Sequence, residues 1–100
     1  METNPDSKYR LHATIEGHVQ GVGFRYFVSD QAQSIGLTGW VRNVYDGQVE
    51  VVAEGTRGDL EKLLRSLQRG PSGAHVHHVT EEWSPATGDF HRFSIAPTDF

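Results

Sequence analysis

The residues best equipped for chemistry lie in the stretch GHVQGVGFRYF, Gly17 to Phe27. Gly17, Gly21 and Gly23 fall within seven residues, and Arg25 follows directly. Glycine lets a backbone turn with positive φ and removes the Cβ that would block a close approach. Successive N–H groups in such a turn point inward as an anion-binding nest. A helix starting just after the loop, near Phe24, adds free N–H groups and the positive end of its dipole. Arg25 falls in the first turn of that helix, where a cation opposes the dipole at a cost of about 0.3–1 kcal/mol. A bound anion reverses that sign, and the planar guanidinium fork can engage two phosphate oxygens. The alternative is that the glycines serve chain geometry and Arg25 is a solvated surface residue. A lone glycine-rich turn does not decide between the two.

Other phosphate loops are excluded. No Gly-Lys-Ser/Thr follows the glycines, and the parallel second strand with the acidic residue of a dinucleotide site is missing. The only lysines are Lys8 and Lys62, so Arg25 is the local source of positive charge. Further along, Asn43 precedes an Asp46-Gly47 turn, a place where asparagine commonly serves turn geometry. His75 and His77 would share a strand face, but two imidazoles without a clear third ligand do not make a metal site. Glu81 and Glu82 are adjacent and face opposite ways in a strand, so they are not a carboxylate pair. Arg65 and Arg69 are four apart and read as a solvated helix face.

The elements that must position these residues follow from periodicity. Tyr9, Leu11, Ala13 and Ile15 alternate, as in a half-buried strand. Phe24, Phe27, Val28, Ala32 and Ile35 recur at helical spacing, and Gly36 sits where a left-handed cap belongs. LTGWVRNV and QVEVVAE read as two strands joined around YDGQ, where Asp46-Gly47 is a pair tolerant of positive φ at both positions. In the second of these strands Gln48, Glu50, Val52 and Glu54 take the outward parity. Thr56 and Asp59 mark the start of a second helix, with a stripe of Leu60, Leu63, Leu64 and Leu67 and a stop at Gly70-Pro71. AHVHHVTEEW is a strand in which Val76 and Val79 have opposite parity, which predicts a bulge or an unusual start. DFHRFSIAP supplies a short final strand with Phe93 and Ile95 on one face. The order β-α-β-β-α-β, with one extra short strand, predicts a ferredoxin-like α+β fold: a split βαβ sandwich with an antiparallel sheet and both helices on one face.

Composition bounds what this unit does. One hundred residues, 36% of them apolar, make one small domain. Residues 1–8 are expected to be a flexible polar tail and residues 9–100 the domain. The 13 acidic residues outnumber the 9 basic ones, so no phosphate-neutralising surplus exists for nucleic acid or anionic membranes. No cysteine is present, which excludes disulfides and a cysteine nucleophile and fits a reducing cytoplasm. No apolar run is long enough for a membrane helix, and METNPDSK lacks the apolar region of a secretory signal. The small acidic surface points to a monomer.

GHVQGVGFR together with GWVRNVYDGQVEVVAEG resembles the acylphosphatase family. The first segment is similar to that family's phosphate cradle. In the second, Gly39, Trp40, Val41, Arg42, Asn43, Gly47, Val49 and Gly55 fit its other signature at every defined position. The similarity covers the chain apart from the polar tail and the last residues, PTDF, neither of which touches the motifs. The resemblance implies a ferredoxin-like fold and hydrolysis of acyl phosphates to a carboxylate and inorganic phosphate, without cofactor or metal. It implies that Arg25 grips the phosphate, that Asn43 orients the attacking water, and that the backbone of Gln20, Gly21, Val22, Gly23 and Phe24 forms the cradle. Inorganic phosphate is then both product and inhibitor. Arg42 should point to the other strand face, and Trp40 serves packing.

Two other functions share this architecture. One is a non-catalytic ligand-binding module, since similar domains occur in large carbamoyl-phosphate-using maturation proteins. The other is RNA recognition, which needs aromatics on the open sheet face and a basic surface. The outward Glu50 and Glu54 of this sheet oppose the latter.

Overall fold

Alternating and helical periods resolve into seven elements. The strand and helix bounds are β1 Lys8–His18, α1 Phe24–Ile35, β2 Thr38–Asn43, β3 Val49–Thr56, α2 Arg57–Arg69, β4 His75–Pro85 and β5 Phe93–Ile95. The chain is described by a computed structural model over residues 6–99; of the tail expected over residues 1–8, residues 1–5 lie outside the described residues. The sheet order is β4-β1-β3-β2-β5. Strands β1 to β4 pair antiparallel, and the extra strand β5 adds along β2 in parallel, so the complete sheet is mixed.

One sheet face carries Leu11, Ala13, Ile15, Val41, Val49, Val51 and Ala53, all fully buried. Phe24, Val28 and Ala32 of α1 and Leu60, Leu63 and Leu67 of α2 close over them. Each fully buried leucine contributes about 1.5–3 kcal/mol of transfer free energy. The two helices touch each other as well as the sheet, which places both on that face. Among the described residues no helix is long and apolar enough to cross a membrane.

Local signals act as the sequence predicts. Gly36 ends α1 in the left-handed region with its N–H on the carbonyls of Ala32 and Gln33. The Thr56 hydroxyl accepts the N–H of Asp59 at 3.3 Å and caps α2. The predicted bulge falls between the Glu16–His78 and Gly17–Val76 pairs, where β4 holds one extra residue. The β2–β3 turn differs from expectation. Only Gly47 of this turn has positive φ, at 98°, and no described non-glycine residue does. Val44 N–H donates to Gln48 O at 2.9 Å and Gly47 N–H donates to Val44 O at 3.0 Å. Tyr45, Asp46 and Gly47 therefore form a loop closed by one left-handed glycine, one residue longer than the two-residue form. The Asp46 carboxylate accepts the Gln48 N–H at 3.0 Å and secures the longer loop.

Candidate active site

The sheet register brings the glycine loop and Asn43 to one end of the molecule. Ile15 of β1 pairs with Val49 of β3, and Val49 pairs with Asn43 of β2. The three lie in one row, so Asn43 is about 10 Å from Ile15, two strand spacings away. Asn43 shares the parity of buried Val41 and lies on the helix side. Trp40 and Arg42 take the opposite face, as expected. There the Arg42 guanidinium lies 4.6 Å from the Trp40 ring centroid.

Val19, Gln20, Gly21, Val22 and Gly23 connect β1 to α1. Gly21 and Gly23 both have φ of 77°, and no protein atom lies within 4 Å of where a Cβ would stand. Their requirement for glycine is conformational. Gly17 is different: a Cβ there would overlap the carbonyl oxygen of His75 on β4, so this glycine serves strand pairing across the bulge. The first helical bond runs from Phe27 N–H to Gly23 O at 3.0 Å. No described group accepts from the N–H groups of Gln20, Gly21, Val22, Gly23, Phe24, Arg25 or Tyr26. Seven successive donors are thus left to whatever occupies the loop.

The two helix starts contrast sharply. Helix α2 has a side-chain cap and Asp59 in its first turn, where Arg57 is paired with Glu61 at 3.1 Å, and Arg69 in its last. Helix α1 starts at Gly23 with no side-chain cap and no acidic residue in its first turn. Arg25 sits there instead, half-buried, and makes no hydrogen bond or ion pair with a described residue. Phe24, 2% exposed, anchors the turn in the core with its ring 6.1 Å from Phe27. The Asn43 side-chain amide is also half-buried and uncommitted among the described residues. No hydrogen bond joins Arg25 and Asn43. The link between their segments is Gln20, whose side-chain Nε2 donates to Val44 O at 2.7 Å and Gln48 O at 2.9 Å.

Sequence reasoning missed the part played by the chain end. Asp99 donates its N–H to Asn43 O at 3.0 Å, and its carbonyl accepts the Tyr45 N–H at 2.9 Å. The segment expected to stand apart from the motifs therefore pairs with the strand that carries Asn43. These are backbone bonds, which leave no side-chain signature.

The outward carboxylates of β3 are not an open acidic surface. Glu50 accepts from His12 Nε2 at 2.7 Å and Arg42 Nε at 2.8 Å. Burial alone would raise its pKa, but these two partners outweigh it and hold the carboxyl below its ordinary value. Glu54 is only 5% exposed, because the β4–β5 loop folds over it. Burial again pushes upward, and the Thr87 N–H at 2.9 Å, Arg10 Nε at 2.8 Å and Gly88 N–H at 3.0 Å bring the net shift down. His75, His77 and His78 are exposed, and no group of three or more metal-ligating side chains occurs among the described residues.

Known proteins share this sequence pattern and fold. The acylphosphatase family model matches residues 11–95. A curated acylphosphatase of Pelotomaculum thermopropionicum is 49% identical over 90 residues, covering 90% of this chain and 98% of the relative. The crystal structure of acylphosphatase from Bacillus subtilis superposes with a TM-score of 0.85 at 38% identity, over 88% of this chain and 98% of that one. Full-length HypF in its phosphate- and nucleotide-bound form matches with a TM-score of 0.85 at 27% identity, over 98% of this chain but 13% of that one. With the matched segment holding the glycine loop, Arg25 and Asn43 on one ferredoxin-like frame, the chain belongs to the acylphosphatase family.

Proposed function

We propose that the protein hydrolyses acyl phosphates to a carboxylate and inorganic phosphate, with Arg25 and the backbone of Gln20 to Phe24 holding the phosphoryl group and Asn43 placing the water. The observation that carries this reading is the run of seven uncommitted N–H groups ending at a helix start whose only charge is Arg25. The leaving carboxylate has a pKa near about 4–4.5, so it departs without a general acid. The transition state is loose and keeps negative charge on the non-bridging oxygens. Fixed donors around those oxygens and an oriented water then suffice. The water oxygen bonds to phosphorus as the acyl C–O–P bridge opens on the phosphorus side. The bridging oxygen leaves with the carboxylate. Asparagine is too weak a base for the proton, which passes to a phosphoryl oxygen. The scheme uses no metal, and inorganic phosphate competes for the same donors. The acidic surface and absence of cysteine support a monomer working in the cytoplasm.

Benzoyl phosphate hydrolysis in EDTA tests this directly. The parent should turn over, phosphate should inhibit competitively, and Arg25→Ala or Asn43→Ala should lose about 100-fold or more while keeping the parent's circular dichroism. Parent-like turnover in both variants would remove the site assignment; a loss of parental turnover in EDTA would remove metal independence.

A further inference from the structure

Gln20 contributes more than its backbone to this site. Its side chain leaves the cradle and crosses to the β2–β3 hairpin, where Nε2 meets Val44 O at 2.7 Å and Gln48 O at 2.9 Å. Both partners are carbonyl oxygens, so the amide nitrogen must face them; the amide oxygen has no proton to offer. The two hydrogens of one NH2 group are thereby committed. These are also the two carbonyls that close the hairpin, since Val44 O accepts from Gly47 N–H and Gln48 O accepts from Val44 N–H. Val44 directly follows Asn43. A single planar amide thus bridges the phosphate cradle and the turn next to the water-placing residue. No described hydrogen bond joins Arg25 to Asn43, so this bridge is the direct polar link between the two halves of the site.

We infer that Gln20 is a positioning residue, whose side-chain amide sets the distance between the phosphoryl cradle and Asn43. The inference rests on the function proposed above. Cradle and water carrier lie on separate strand–loop units, and in-line attack tolerates little error in their separation. Phosphate binding needs only the cradle and Arg25, whereas turnover also needs Asn43 in register. Loss of the bridge should therefore lower kcat and leave phosphate affinity almost unchanged, a split that a general loss of structure would not produce.

The test uses the full chain, with benzoyl phosphate as substrate and inorganic phosphate as inhibitor. Gln20→Ala should lower kcat about 10- to 100-fold. Its phosphate inhibition constant should stay within about threefold of the parent's, a small fraction of the binding free energy. Gln20→Glu keeps the shape but, when ionised, turns a carboxylate toward two carbonyls. Its kcat should fall similarly at neutral pH and recover relative to the parent as the pH drops toward about 5, where a protonated carboxyl can donate one of the two bonds. This near-isosteric variant keeps the inference testable if Gln20→Ala does not fold. Parent-like kcat in both variants overturns the inference. So does a parallel loss of kcat and phosphate affinity, or the absence of acid recovery in Gln20→Glu. A parent that hydrolyses no acyl phosphate removes the proposed function and the inference with it, while an active parent with indifferent Gln20 variants removes the inference alone.

Discussion

Two places in this molecule gather the same donors, successive backbone N–H groups and an arginine, and treat them in opposite ways. In the β4–β5 loop the N–H groups of Thr87 and Gly88, with Arg10, converge on the Glu54 carboxylate at 2.8–3.0 Å. At the start of α1 the N–H groups of Gln20 to Tyr26, with Arg25, have no acceptor among the described residues. A buried polar group without a partner costs free energy, so a chain that supplies its own anion gains stability. The first arrangement holds strands together. The second leaves its donors unmatched at an uncapped helix, and on the proposed function they serve a phosphoryl group.

The largest expected effect comes from giving the second place an anion of its own. Arg25→Glu puts a carboxylate in the first turn of α1, which has none. On the proposed function it removes the phosphate's cation, and it sets a negative charge beside the donors. Turnover of benzoyl phosphate should fall by more than about 1000-fold, the scale on which a transition-state arginine acts in phosphoryl transfer. Stability should rise by about 0.3–1 kcal/mol as the charge now suits the helix dipole. Urea unfolding beside the kinetic assay would read both. A variant that loses activity and stability together would show that Arg25 is structural.

The contrast between the two places was only half readable in the sequence. Gly21, Gly23 and Arg25 are conspicuous because a left-handed backbone selects glycine and a cation in a first turn is out of place. The strands, the helices, the Thr56 cap and the bulge near His77 were readable because each follows from local period or capping chemistry. Glu54 was not. Its parity in β3 marks it as outward, which holds for the strand, yet a loop more than thirty residues away in sequence covers it. The Asp46-Gly47 turn was found at the right place, but only Gly47 takes the positive φ that both residues tolerate, since hairpins of different turn types share that dipeptide. The side chain of Gln20 and the backbone of Asp99 act on backbone groups of distant strands, and a carbonyl oxygen has no residue type to recognise.

The second effect breaks the filled place. Glu54→Gln keeps the size but removes the charge that Arg10 and the Thr87 and Gly88 N–H groups face. It also turns an acceptor into a donor on one side. Stability should fall by about 1.5–3 kcal/mol, the range for hydrogen bonds to a charged group. Because Glu54 lies on the face opposite the helices and the cradle, kcat for benzoyl phosphate should stay at the parent value. A fall in kcat at unchanged stability would mean that the two places are coupled through the sheet.

Protonation makes the smallest change at the same position, because a protonated Glu54 keeps its shape and can still accept. Burial opposes the ionised form, yet the surrounding donors hold the pKa below that of the unfolded chain. Glu50 is lowered in the same way. A carboxyl depressed on folding gives its full stabilisation above the unfolded value of about 4.3 and loses it as the pH falls through the lowered folded value, since the unfolded chain binds the proton first. The parent should therefore be more stable than Glu54→Gln at pH 6, and its margin should narrow as the pH drops below about 4.3, in urea titrations at successive pH values. A margin that stays constant down to full protonation would mean that Glu54 is held by its shape, and that the likeness between the two donor sets is one of geometry without charge.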